Sequence, residues 1–291
     1  MFVFDTPEPI SVTIELGVGD IRIVANDRAD TIVEVRPSDD TKKSDVIAAE
    51  QTRVEYDGGM LRIKAPKGWR QYTPRGGGAS IDVRLDLPAG SQVRGEAGVA
   101  AIRCTGRLGE CLLKTGVGEI RLDQGGPAAI HAGIGDVTVD RAVDHAEIST
   151  GSGSVRVGRV DGTAVIKNSN GDTWVGEVTG DLRIHAANGK IAVERAHATV
   201  AAKTANGDVR LGEVAHGAVL AETACGKVDV GVREGVAAFL DLNTHFGRVR
   251  NCLDAVEGPE PGEDAIEIKA RTSLGDVTVR RSTANAIGAN E

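Results

Sequence analysis

From Gly153 to Gly207 a glycine, a polar residue and an apolar, any, apolar triplet return every eighteen residues, at Gly153, Gly171, Gly189 and Gly207. The motif continues at less even intervals at Gly118, Gly135, Gly226, Gly247 and Gly275, with degenerate copies at Gly19 and Gly98. A period this short restricts the chain to a stacked array, because one unit cannot bury its apolar face alone and must lean on the next. Within each unit apolar and polar residues alternate on both sides of the glycine, which is the period of half-buried strands. Ala164 and Ile166 precede Gly171, and Thr173 and Val175 follow it. The same phase recurs at Leu182, Ile184, Ile191 and Val193, at Val200, Ala202, Val209 and Leu211, and at Leu240 and Leu242. Seven residues after the glycine, Ala142, Val160, Val178, Ala196 and Val214 supply a small apolar corner.

Two short strands per unit predict an all-β, two-sheeted β-solenoid, or β-helix, whose coils stack about 4.8 Å apart. The competing architecture is an antiparallel meander with Asn170-Gly171, Asn188-Gly189 and Asn206-Gly207 as hairpin turns. Stacking is favoured on two grounds. It places the three asparagines on neighbouring rungs, where their amides form a ladder. It also sets Asp172, Lys190, Asp208 and Lys227 side by side with alternating sign. The expected organisation is a less regular N-terminal β region over 1–97, solenoid repeats over 98–282 and a disordered tail over 283–291. In the first of these, Ser11 to Val24 and Ile32 to Arg36 read as strands, Lys42 to Gln51 as a short helix, and Arg53 to Ala65 as a hairpin turning at Asp57-Gly58-Gly59. The helix and a loop from Pro66 to Ala79, carrying Trp69, Tyr72 and Gly76-Gly77-Gly78, read as a cap over the open end of the coil. An acidic insertion, Glu257 to Asp264, precedes the last unit.

Aromatic residues make up only 3% of the chain, so Val, Ile, Leu and Ala must build a thin, regular core. A net charge of -8 argues against nucleic acid and anionic membrane as partners, since both demand a dominant positive field. The first residues lack a cationic segment followed by an apolar one, and nowhere do eighteen apolar residues run together, so a cytoplasmic protein is expected. Cys104, Cys111, Cys225 and Cys252 have no Cys-x-x-Cys spacing and read as reduced thiols with no metal.

No nucleophile elbow, phosphate loop or dinucleotide fingerprint is present, and no carboxylates group at one coil height, so neither catalysis nor a cofactor is expected. His197 and His216 share a phase but suit solvated histidines better than a metal pair. Two outward columns are candidate binding surfaces. Lys114, His131, Ser149, Lys167, His185 and Lys203 precede their glycines by four residues and draw a basic stripe. Arg156, Trp174 and Arg210 follow theirs by three, and an exposed Trp beside Arg is a plausible interface anchor, or a cation–π pair with Arg156. The expected function is a non-enzymatic scaffold presenting flat sheet faces to a protein partner or to another copy of itself. The alternative is a carbohydrate- or polyanion-binding module on the basic stripe.

The stretch Ser80-Ile-Asp-Val-Arg-Leu-Asp-Leu-Pro88-Ala-Gly90, followed by units such as Thr204-Ala-Asn-Gly207-Asp-Val-Arg-Leu211, resembles a bacterial β-strand-repeat family of unknown function labelled "putative adhesin". The resemblance implies the repeat fold and brings no catalytic residues with it.

Overall fold

In the computed structural model, residues 1–66, 79–253 and 265–282 are described. The expectations for Trp69, Tyr72 and Gly76 to Gly78, for the acidic insertion, and for the tail after Ser282 lie outside these residues. The chain divides into two compact units, Met1–Gly153 and Ser154–Glu291.

The first unit holds β1 (Phe2–Asp5), β2 (Ser11–Asn26), β3 (Asp30–Pro37), α1 (Lys43–Gln51), β4 (Arg53–Asp57), β5 (Met60–Lys64), β6 (Ile81–Pro88), β7 (Gln92–Arg107), β8 (Cys111–Val117), β9 (Ile120–Gly125), β10 (Ala128–Ile134) and β11 (Val137–Ser152). Two parallel ladders run through it, one in the order β5, β2, β7, β8, β10, β11 and the other in the order β6, β2, β7, β9, β11. The N-terminal region is therefore already coiled, but out of sequence order. The rung made by β5 and β6 lies outside the rung made by β2. Antiparallel strands close that outer rung: β4 pairs with β5, β3 with β6, and β1 with β3. Helix α1 packs on β3 and β6. Its buried Asp45 sits in the first turn, where a carboxylate suits the helix dipole. That carboxylate also accepts the backbone N–H of Ser80 at 3.2 Å and meets Lys42 Nζ at 3.3 Å, which ties the helix to the start of β6.

The second unit holds β12 (Val155–Asn170), β13 (Thr173–Val178), β14 (Leu182–Asn188), β15 (Ile191–Ala196), β16 (Val200–Asn206), β17 (Val209–Val214), β18 (Ala218–Cys225), β19 (Val228–Val232), β20 (Ala237–Phe246), β21 (Val249–Asn251), β22 (Ala265–Leu274) and β23 (Val277–Arg281). Leu182 pairs in parallel with Val200 and Ile191 with Val209, so residues eighteen apart lie on adjacent rungs. This register establishes the β-solenoid and excludes the meander. Val, Ile, Leu and Ala at the inward places are buried on every rung but that of β20 and β21, including the corner residues Ala142, Val160, Val178, Ala196 and Val214. The last rung departs from sequence order: β22 lies between β18 and β20, and β23 between β19 and β21.

The turn between the two strands of a rung explains the motif. Gly189, Gly207, Gly226 and Gly275 hold φ of +134° to +152°, a region closed to side chains with a Cβ. A Cβ on Gly207 would stand 2.0 Å from the carbonyl oxygen of Gly189, and one on Gly226 2.1 Å from that of Gly207. The threonine three residues before the glycine donates its hydroxyl to the same carbonyl of the preceding rung: Thr223 to Gly207 at 2.9 Å, Thr272 to Gly226 at 2.9 Å and Thr244 to Gly275 at 2.9 Å. The aspartate after the glycine accepts the backbone N–H of the next rung, Asp172 from Lys190 and Asp208 from Lys227, each at 2.8 Å. Alternation of Asp and Lys at this place thus reflects a carboxylate bonded to main chain. Gly98 is not an early copy of the turn glycine. Its place is taken by Ala100, over whose carbonyl Gly118 sits, while Gly98 stacks between Gly17 and Gly116.

Replacing Gly207 with Ala should destabilise the protein by more than about 2 kcal/mol, because left-hand strain and a backbone clash add. Gly58→Ala, at φ +54° with open space around it, should cost only about 1 kcal/mol. Chemical denaturation of both variants checks the difference, and equal losses would contradict a close rung-to-rung approach.

Candidate interaction surface

Strand alternation turns one residue in two outward, so each outward place becomes a column along a ladder. In the second unit Arg156, Trp174, Ala192 and Arg210 occupy successive rungs of one ladder. The Arg156 guanidinium lies 4.8 Å from the centre of the Trp174 ring, and the ring is half-buried between exposed Arg156 and the small Ala192. On the other ladder Lys167, His185, Lys203 and Glu222 follow one another. The stripe is not uniformly basic, since Lys203 Nζ bridges the Glu222 carboxylate at 2.8 Å. Lys114 belongs to the first unit, where it neighbours His131, whose ring bonds the Ser149 hydroxyl at 2.7 Å. At the corner, Asn188 donates its amide to Asn170 and Asn206 to Asn188, both at 2.9 Å, beside Gly171, Gly189 and Gly207.

A third column, beside the two outward columns expected from the sequence, carries a charge network. Six residues after each glycine stand Arg159, Glu177, Arg195 and Glu213, in register and alternating in sign. The eighteen-residue period was its signal. Glu177 receives Arg159 at 3.0 Å, Arg195 at 3.3 Å and His197 Nε2 at 3.0 Å. His197 is thereby engaged as a carboxylate partner. Partial burial pushes the Glu177 carboxyl up, but the bonds from His197 and Arg195 and the charges of Arg159 and Arg195 outweigh it and hold the group below its ordinary range.

The first unit carries an open depression of about 500 Å³ on its outer face, lined among others by Thr13, Glu15, Arg62, Lys64 and Arg94. Both signs interleave there, with Lys64 on Glu15 at 3.3 Å and Arg94 on Glu96 at 3.0 Å. Cys104 and Cys111 are buried, and burial raises both thiols, Cys111 to about 12. Cys225 and Cys252 are exposed. Among the described residues no group of three or more His, Cys, Asp or Glu could hold a metal, and no helix is long and apolar enough to cross a membrane.

The sequence profile of the Toastrack DUF4097 family matches residues 10–283. The chain belongs to this family. No curated protein matches it. Several solved structures resemble this Toastrack chain over nearly their whole length. One is from Clostridium sporogenes and is described as a "putative cell adhesion protein", with 13% identity, 96% of this chain and 98% of that chain covered, and a TM-score of 0.24. A Bacteroides fragilis protein described as a "putative adhesin" has 12% identity, 96% of each chain covered and a TM-score of 0.33. A Parabacteroides distasonis protein described as a "putative lipid binding protein" has 12% identity, 96% and 95% coverage and a TM-score of 0.33.

The depressed Glu177 carboxyl stabilises the fold above its unfolded pKa, and that contribution is lost as pH falls through its folded value, below the ordinary 4.5. Glu177→Gln should therefore lower stability at pH 7 by about 1 kcal/mol or less. The gap to wild type should close in acid. Thermal melts across pH check this, and a gap that widens in acid would contradict it.

Proposed function

We propose that this Toastrack protein is a non-enzymatic scaffold that docks a protein partner on the outer face bearing Trp174. The observation that carries the reading is the Trp174 ring, held by the Arg156 guanidinium at 4.8 Å and left half-open on a flat strand face. In a chain with so few aromatics, a Trp spent on an outward place is not needed by the core. Trp and Arg are the residue types that most often dominate binding energy, and here both are preset by register and by each other. Ala192 on the next rung leaves room for a side chain of the partner to reach the indole edge. The basic column is a weaker candidate for a polysaccharide or other polyanion, because Glu222 already engages Lys203.

Affinity capture with wild-type bait beside Trp174→Ala and Arg156→Ala tests the proposal. Loss of an anchor should cost about 2 kcal/mol, or roughly thirtyfold in affinity for the captured partner. Equal capture by all three would overturn it.

A further inference from the structure

Among the described residues, the last rung of the second unit, β20 with β21, has a neighbour on one side alone. On every earlier rung of this unit the turn glycine donates its N–H onward, as Gly207 does to Cys225, Gly226 to Leu274 and Gly275 to Phe246. The residue two after it does the same, as Val277 does to Arg248. For Gly247 and Val249 the described residues contain no further rung to receive these bonds. Side chains report the same opening. Val249 is 46% exposed and Leu240 and Leu242 are half-exposed, although their equivalents on other rungs are buried; Phe239 and Phe246 stand on outward columns of the same rung, 59% and 74% exposed. The first unit ends differently, under the antiparallel strands β1, β3 and β4.

We propose that this edge pairs with the same edge of a second copy, β20 running antiparallel to β20 about a twofold axis through Asn243. An unpaired strand edge is a template for another strand, and a twofold contact must be self-complementary. Strand β20 can meet that condition with the axis at Asn243. An axis at Asp241 would oppose two like carboxylates, which is destabilising. An axis at Asn243 instead sets Asp241 of each copy opposite His245 of the other. The backbone agrees. By equivalence with Leu182, whose N–H reaches Thr199 on the next rung, the N–H and C=O of Leu240, Leu242 and Thr244 point out of the edge. Leu242 and Thr244 then form the hydrogen-bonded pairs, and Asn243 meets its own copy as a close non-hydrogen-bonded pair. Asp241 already accepts Arg271 at 2.8 Å within its own chain and has lone pairs left for a second donor.

The β20 edge shares no residue with the Trp174 face, so either can bind while the other does not. Its test is cysteine cross-linking of the full chain with Cys225→Ser and Cys252→Ser. Under mild oxidation Asn243→Cys should become a covalent dimer, because facing Cα atoms of such a pair lie about 4.5 Å apart, within disulfide reach. Asp241→Cys, which faces a different residue, should cross-link at least tenfold more slowly. In sedimentation, wild type should dimerise with concentration, and Phe239→Lys with Phe246→Lys should raise the dissociation constant at least tenfold with unchanged melting. A strictly monomeric wild type, as expected if another segment of the chain covers this edge, would overturn the proposal. So would a dimer that Asn243→Cys fails to trap.

Discussion

The approach of one rung's turn to the next is the contact on which the structure depends. With Gly189 carbonyl oxygen 2.0 Å from the point where a Cβ of Gly207 would lie, no other residue fits. That closeness brings Thr, Gly and Asp of successive units within bonding distance, so the motif is a main-chain clasp and not a ligand site. Each clasp is a modest interaction of about 1 kcal/mol. Repetition makes the clasps decisive, since a shift of register by one residue would break all of them and turn the core outward.

In each unit the end rung departs from sequence order. In the first unit β2 lies inside the rung of β5 and β6, and in the second unit β22 and β23 lie inside the rung of β20 and β21. The first and last coiled strands in sequence therefore bond on both sides. Strands at an edge open most readily, and this placement gives β2, β22 and β23 neighbours that an edge would deny.

Period and alternation made the solenoid legible, because a parallel stack translates sequence spacing directly into neighbours. Asn170, Asn188 and Asn206, and Arg156 and Trp174, come together for that reason alone. Charge was harder to read. Asp172 faces Lys190 as the spacing implies, yet its partner is the backbone N–H, which carries no trace in residue type. The Arg159, Glu177, Arg195 and Glu213 column was equally periodic, but it lies near the corner, where it marks neither a turn nor the middle of a face. The order of the end rungs had no sequence signal, because swapping two adjacent rungs leaves every residue's inward or outward place unchanged. Gly98 misled for a related reason. Two glycine columns run beside the corner, and in that unit Ala100 replaces the more diagnostic one.

Register at the corner can be read by one substitution, because Asn206 and Cys225 are paired residues of adjacent rungs. Parallel neighbours lie about 4.8 Å apart, inside the span a disulfide accepts. Peptide mapping after mild oxidation of Asn206→Cys should recover an intramolecular bridge between the introduced thiol and Cys225, with buried Cys104 and Cys111 still reduced. Recovery of both thiols free, or of a bridge from the introduced thiol to Cys252 in its place, would contradict the stacked register.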